Sequence, residues 1–282
     1  YTTLFRSTDE IANYLASGEI DVADYIGCYY VCFNTEDEVF KDPKIRKAFS
    51  LAIDRNYIVE NVTQTGELPA TGYVPSGVFD ADTTGDDFRT VGGDYYSVSA
   101  EDYEKNCEEA RALLAEAGYP NGEGFPTVEY MFNTDDKHKA IGEALQSMWQ
   151  EVLGVNVTLS NQDWNVFLDS RKQGQYQIAR NGWIADYNDA CSFLDMWYTD
   201  GGNNDAQYSN PEYDALIDAA KATTVPEERM EAFHKAEDIL IGQDSVLAPL
   251  YFYTQPYMLA DDIEGMYYTP LGFFFFGYTT QK

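Results

Sequence analysis

The sequence predicts an α/β fold, and three observations carry that expectation. Short β-prone runs alternate with stretches of helical periodicity along most of the chain, the pattern of sheet strands joined by packed helices. The helical stretches are well marked: Lys137 to Leu153 sets Ile141, Ala144, Leu145, Met148, Trp149 and Val152 in one apolar stripe. The chain of 282 residues is also long enough to bury a large core in one or two domains.

Taken in order, Tyr1 to Phe5 reads as a strand. Asp9 to Ser17 carries Ile11, Ala12 and Leu15 at helical spacing, and Gly18 fits the C-cap. Ile20 to Ala23 is a second short strand, and Ile26 to Thr35 a long one. Asp42 and Pro43 form an N-cap with a first-turn proline. Ile45, Ala48, Phe49, Ala52 and Ile53 then share one face. Arg46, Lys47 and Arg55 lie off that stripe and are expected to be solvated. Thr63 to Ser97 is rich in Gly, Pro, Asp and Thr, an irregular segment of a length that is either functional or mobile. Ser99 with Asp102 resembles a capping box for a helix with Tyr103, Cys107, Ala110, Leu114 and Ala117 on one face, stopped by Gly118 and Pro120.

Thr127 to Phe132 and Val155 to Leu159 are strands on either side of the Lys137 to Leu153 helix. Asp163 to Lys172 is a helix expected to turn Trp164, Phe167 and Leu168 inward. A short strand, Tyr176 to Ala179, and a helix, Ala190 to Tyr198, bracket a polar stretch. Asn210-Pro211 starts a helix through Ala220, and Pro226 another with Met230, Phe233, Ala236 and Leu240 at helical spacing. Val246 to Tyr253 is the last long strand. The chain shows no internal repeat and no low-complexity tract.

The net charge is −30, from 48 acidic and 18 basic residues. Such a surface repels nucleic acid and anionic membranes. Acidity alone does not name a basic ligand, because a solvated acidic surface is the simpler account of it. Aromatics at 15% exclude a disordered acidic chain. Cys28 and Cys32, four apart in a β-prone run, would stand about 13 Å apart, too far for a disulfide. With Cys107 and Cys191 they read as buried free thiols, and they leave the compartment open. No signal peptide, lipobox or apolar run long enough to span a bilayer is present.

Enzyme signatures are lacking. His138 and His234, the only two histidines, each fall on a predicted polar helix face, outside HExxH or any comparable metal spacing. There is no GxSxG and no GxxxxGK[ST]. The aspartates from Asp80 to Asp87 lack EF-hand spacing. No metal or cofactor is expected.

The stretch that carries most information is Arg180-Asn-Gly-Trp-Ile-Ala-Asp-Tyr-Asn-Asp189. It lies between a strand and a helix, a usual place for a ligand in an α/β protein. Arg180 and Asp186 supply opposite charges beside Trp183 and Tyr187, the mixture a zwitterion with side chains requires. As plain structure, Asp186 would cap the next helix and Trp183 would be core.

Gly182-Trp183, Ala185-Asp186-Tyr187 and Phe193-Leu194 resemble the signature of the peptide-binding proteins of ABC importers, the extracytoplasmic solute-binding family 5. Other segments agree in order, among them Asp42-Pro43-Lys44-Ile45-Arg46-Lys47-Ala48-Phe49, Ala52-Ile53-Asp54-Arg55, Leu113 to Pro120, Asn210-Pro211-Glu212-Tyr213-Asp214 and Pro249-Leu250-Tyr251. No one motif is specific, but the ordered set is, and it covers most of the chain.

The resemblance implies a type II periplasmic-binding-protein-like lobe, a mixed sheet flanked by helices, with partial remnants of a second lobe. Residues 1–29 would be a remnant of the first lobe and a crossover, 30–254 the second, ligand-binding lobe, and 255–282 the return crossover and a first-lobe remnant. Family members are longer. The resemblance therefore implies a carboxy-terminal portion or an engineered version, with a deletion near Asp24 and the export signal lost with the missing part. It implies an extracytoplasmic, monomeric protein, membrane-anchored in its full-length form. Such a protein captures a peptide and hands it to a membrane-embedded ABC permease. Asp186 would take the ligand's α-amino group and Arg180 its carboxylate, with Trp183, Ala185, Tyr187, Tyr29 and Asn34 as further ligand-binding candidates. A binder of another solute (a nickel chelate, sugar or heme) is the alternative, and a hydrolase a remote one.

Overall fold

A computed structural model describes residues 8–282, so the strand expected at Tyr1 to Phe5 lies outside the described residues. The centre is a six-stranded mixed sheet. Its strands are β1 (Asp21–Phe33), β2 (Leu68–Pro69), β3 (Val128–Asn133), β4 (Val157–Gln162), β5 (Ile178–Ile184) and β6 (Leu247–Tyr257), in the order β2-β6-β1-β5-β3-β4. β3 pairs in parallel with β4 and β5, and the pairings of β1 with β5 and β6 are antiparallel. The parallel pairs need crossovers, which two helices supply. α6 (Asp136–Leu153) links β3 to β4, and α7 (Trp164–Lys172) links β4 to β5.

The remaining helices are α1 (Thr8–Ser17), α2 (Pro43–Leu51), α3 (Arg55–Tyr57), α4 (Phe88–Gly92), α5 (Tyr103–Glu116), α8 (Cys191–Leu194), α9 (Pro211–Ala222) and α10 (Pro226–Glu237). They cover both faces of the sheet, which explains why β1 reads as an unbroken apolar run from Ile26 to Phe33. Its alternate residues enter different cores. Tyr29, Val31 and Phe33 pack with Phe49, Leu114, Leu145 and Trp149 from α2, α5 and α6. Cys28, Tyr30 and Cys32 pack with Phe193, Trp197, Ile217 and Phe233 from the α8–α10 side. All four cysteines are free and buried. Burial pushes the thiols of Cys28 and Cys32 up, Cys32 to about 12, so both act as small apolar groups.

Caps fall where the chemistry of short polar side chains puts them. Asp42 accepts from the Lys44 amide, and Asn210 from those of Glu212 and Tyr213. Gly154 closes α6 with φ +70°, and a β-carbon there would meet the Asn121 carbonyl oxygen at 2.4 Å.

Several expectations are corrected. The two strands expected at Ile20–Ala23 and Ile26–Thr35 are one, β1, irregular between Asp24 and Cys28 where its register with β6 shifts. The Ser99 box does not form. Asp102 stands at the N-cap of α5 without a side-chain cap bond, because its carboxylate is taken by the Ser97 hydroxyl at 2.7 Å. Arg46 and Arg55 are buried, not solvated. Arg46 donates to the carbonyls of Phe40 and Asp244, and Arg55 to those of Pro249 (2.7 Å) and Ser50 (3.1 Å), with its guanidinium 4.0 Å over the Tyr96 ring. Both satisfy backbone carbonyls, some of them nearly two hundred residues away, that no local pattern could reveal. Lys47 is half-buried, in an ion pair with Glu109. Trp164 turns outward, 51% exposed, while Phe167 alone of α7 is fully buried.

The segment from Thr63 to Ser97 packs as core at Tyr73 and Val74. Glu237, buried in α10, accepts from both of their amides and from Arg89 at 2.8 to 2.9 Å. His234 pairs with Asp80 at 2.8 Å and stacks on Phe88, so its helix face is not a solvated one.

β1 and β6 run on together beyond the other strands, pairing Asp21–Asp24 with Thr254–Tyr257. After them come two small antiparallel strand pairs, one enclosing the other in sequence. β7 (Ile263–Glu264) pairs with β10 (Thr280–Gln281), and β8 (Tyr267–Thr269) with β9 (Phe273–Phe275). The Ile26 amide donates to the Pro270 carbonyl at 2.9 Å, tying this tail to β1.

Candidate ligand-binding site

Half of the polar stretch singled out in the sequence is strand. β5 runs from Ile178 through Ile184, two residues later at its start than expected and well past Ala179 at its end. The strand holds these residues by pairing them with β1, Tyr29 opposite Gly182 and Gly27 opposite Ile184. Close approach demands glycine here: a β-carbon on Gly182 would meet the Tyr253 hydroxyl at 2.5 Å. The loop begins at Ala185, whose amide donates to the Ile26 carbonyl at 2.9 Å, and turns into the short helix α8 at Cys191.

Within that loop the Asp186 amide donates to the Ser192 hydroxyl at 3.0 Å, and the carboxylate is exposed. Among the described residues it enters no ion pair and accepts no side-chain hydrogen bond. Tyr187 is 49% exposed. Two contacts fix the loop from outside. Asn188 accepts from the Phe79 amide and donates to the Gly77 carbonyl, both at 2.9 Å. Asp189 takes a two-pronged ion pair from Arg229 at 2.7 and 2.8 Å. The sequence reading missed both. Asn188 sat in plain view within the stretch, but its partner lies more than a hundred residues away.

Trp183, Asp186 and Tyr187 line a hollow of about 360 Å³, facing Asp195, Tyr198, Asp218 and Lys221. Ala185 is buried just beneath. Arg180 stands earlier on β5, opposite Val31, and is not part of the hollow. It is 8% exposed, donates to Asn133 Oδ1 at 2.7 Å through Nε, and lies 5.4 and 5.2 Å from the ring centres of Trp164 and Phe167. It has no carboxylate partner among the described residues. Trp164 faces outward because it roofs this guanidinium.

Tyr29 is buried midway along the same pairing, stacked on Tyr251 with its hydroxyl 3.1 Å from His138 Nδ1. Burial, with the nearby Arg180 charge, lowers His138 to about 4, so the imidazole is neutral and shares one hydrogen bond with the phenol. Asn34 lies at the opposite end of β5 from Asp186. There it donates to the carbonyls of Gly174 (2.9 Å) and Tyr176 (3.0 Å) and accepts from the Glu36 amide. The structure thus gathers Trp183, Ala185, Asp186 and Tyr187, sets Arg180 and Tyr29 further along the sheet, and leaves Asn34 apart. Among the described residues no cluster of His, Cys, Asp and Glu could hold a metal ion. No described helix is long and apolar enough to cross a membrane.

A mixed sheet covered on both faces, with paired strands leaving it and a charged loop at one strand end, defines the class: a type II periplasmic-binding-protein-like α/β lobe. The chain belongs to the bacterial extracellular solute-binding proteins, family 5, whose middle-region model matches residues 3–205. It is 37% identical over 247 residues to the periplasmic oligopeptide-binding protein OppA of Salmonella typhimurium, an alignment covering 88% of this chain and 43% of that protein. The solved structure of Haemophilus influenzae OppA in complex with the peptide RPPGFSPFR superposes with a TM-score of 0.78 at 32% identity, covering 94% of this chain and 50% of that one. The Escherichia coli murein tripeptide binding protein MppA gives a TM-score of 0.78 at 29% identity, with 94% and 49% covered. The chain therefore spans about half the length of each of these three relatives.

Proposed function

We propose that this chain forms one wall of a peptide-binding cleft. The cleft belongs to an extracytoplasmic protein that passes peptides to a membrane-embedded ABC permease. One observation carries the reading. Arg180 and Asp186, six residues apart on one strand-and-loop stretch, are opposite charges, and neither has a counter-ion among the described residues. A zwitterion supplies both, its amine to Asp186 and its carboxylate toward Arg180, with Trp183 and Tyr187 as apolar walls. The names of the relatives, and the peptide bound to one of them, support a peptide as that zwitterion. Residues 30–254 are the wall. Residues 1–29 and 255–282 belong to crossovers and to the facing lobe, and closing the two lobes completes the site. The protein works as a monomer and binds rather than converts its ligand.

The test is N-acetylation of a short peptide. It removes the amine's charge and should weaken binding to the wild type. Asp186→Asn should weaken the free peptide and leave the acetylated one unchanged. In this chain, where Asp186 is exposed, the loss is about 0–1 kcal/mol. In a cleft closed by a second wall it is about 2–5 kcal/mol. Equal affinity for the free and acetylated peptides would remove Asp186 from the amine's side.

A further inference from the structure

The hollow beside Asp186 has a character of its own. At about 360 Å³ it holds on the order of ten waters, or one long side chain with a few of them. Its walls are aromatic and sulfur-bearing: Trp183, Tyr187, Tyr198 and Met196. Its charges are lopsided. Asp186, Asp195 and Asp218 line it against a single ammonium, that of Lys221. Lys221 is engaged by Asp195, and Asp218 accepts only from the Tyr198 hydroxyl at 3.2 Å. Asp186 therefore has no ion pair among the described residues, and three carboxylates face one ammonium across an aromatic-walled concavity.

We propose that this hollow is a side-chain pocket selecting a basic residue at the peptide's amino end. This rests on the peptide-binding reading, and it names the substrate class that the same site prefers. With its amine at Asp186, a peptide's first side chain is the one close enough to enter. A lysine or arginine stem then lies along the aromatic walls, which attract cations, and its head meets Asp218. An acidic side chain would meet like charges, and a neutral one would leave the excess negative charge of the hollow unbalanced.

A net charge of −30 would draw any cationic peptide, so the test must separate place from charge. Lys-Ala-Ala and Ala-Ala-Lys carry the same charges and differ only in where lysine sits. Titrated into this chain and followed by amide NMR shifts into the millimolar range, Lys-Ala-Ala should bind tighter than Ala-Ala-Lys by about threefold. Glu-Ala-Ala should be the weakest of the set. Asp218 is exposed on α9, so Asp218→Asn should fold normally and bring the two lysine peptides together. Equal affinities of the two lysine peptides for the wild type would overturn the pocket while leaving peptide binding intact. Absence of binding by all of them, Ala-Ala-Ala included, would overturn the underlying reading and the pocket with it. A preference that survives Asp218→Asn would place the selection elsewhere.

Discussion

Arg55 shows how a charged residue becomes structural. It is 3% exposed and spends its donors on the carbonyls of Pro249, Ser50 and Ile53 and on the Ser50 hydroxyl. Arg55→Met should cost roughly 3 kcal/mol, because it strands buried acceptors, and chemical denaturation would measure it. A stability within 0.5 kcal/mol of wild type would show those carbonyls to be served by water. His138 gives a second test, in pH. Its folded value of about 4 lies below the unfolded value near 6.5, so the unfolded chain takes up the proton first. The stability tied to neutral His138 is fully present above about pH 6.5 and is lost as pH falls toward 4. The loss is on the order of 2 kcal/mol. His138→Gln should lack that part of the acid slope. If both proteins lose stability in parallel between pH 6.5 and 4, the histidine is not held neutral. Neither residue was legible as buried. Arg55 lies off the apolar stripe and His138 falls on a polar face, and what buries them comes from strands β6 and β1, far away in the sequence.

Among the elements, those with a strong period were readable. α6 spans Asp136–Leu153 where Lys137 to Leu153 was expected, and its stripe faces the core at Ile141, Leu145, Met148 and Trp149. Trp149 is fully buried and its indole donates to the Phe49 carbonyl at 2.8 Å. Trp149→Ala should lower stability by roughly 3–5 kcal/mol through the cavity and the orphaned carbonyl. A thermal midpoint equal to wild type would contradict this packing. α7 was read less well. Its stripe is short, and Trp164 serves Arg180 instead of the core. β5 was cut short because Arg180, Asn181 and Gly182 are poor strand formers by composition, yet pairing with β1 keeps them extended. The binding stretch itself was legible, since its charges and aromatics are contiguous. Asp218 and Lys221 were not. They arrive on α9 from a separate part of the chain, with no local mark to set them apart from a solvated helix face.

At the scale of the whole molecule, the proposal makes residues 30–254 one folded wall of the cleft. Both faces of the sheet carry dense cores, packed around β1, β5 and β6. Affinity in a cleft comes from two walls that bury most of the ligand and exclude water, which strengthens every polar contact. Here Asp186 and Tyr187 are exposed and the hollow beside them is open on one side. An exposed ion pair contributes about 0–1 kcal/mol, while association costs at least about 4 kcal/mol in lost freedom. Isothermal titration of the 282-residue chain with a mixed pool of short peptides tests this most directly. The account predicts a cooperative, folded protein with Kd in the millimolar range, about −4 kcal/mol. Micromolar binding would contradict it and would mean that the cleft is already closed within these residues.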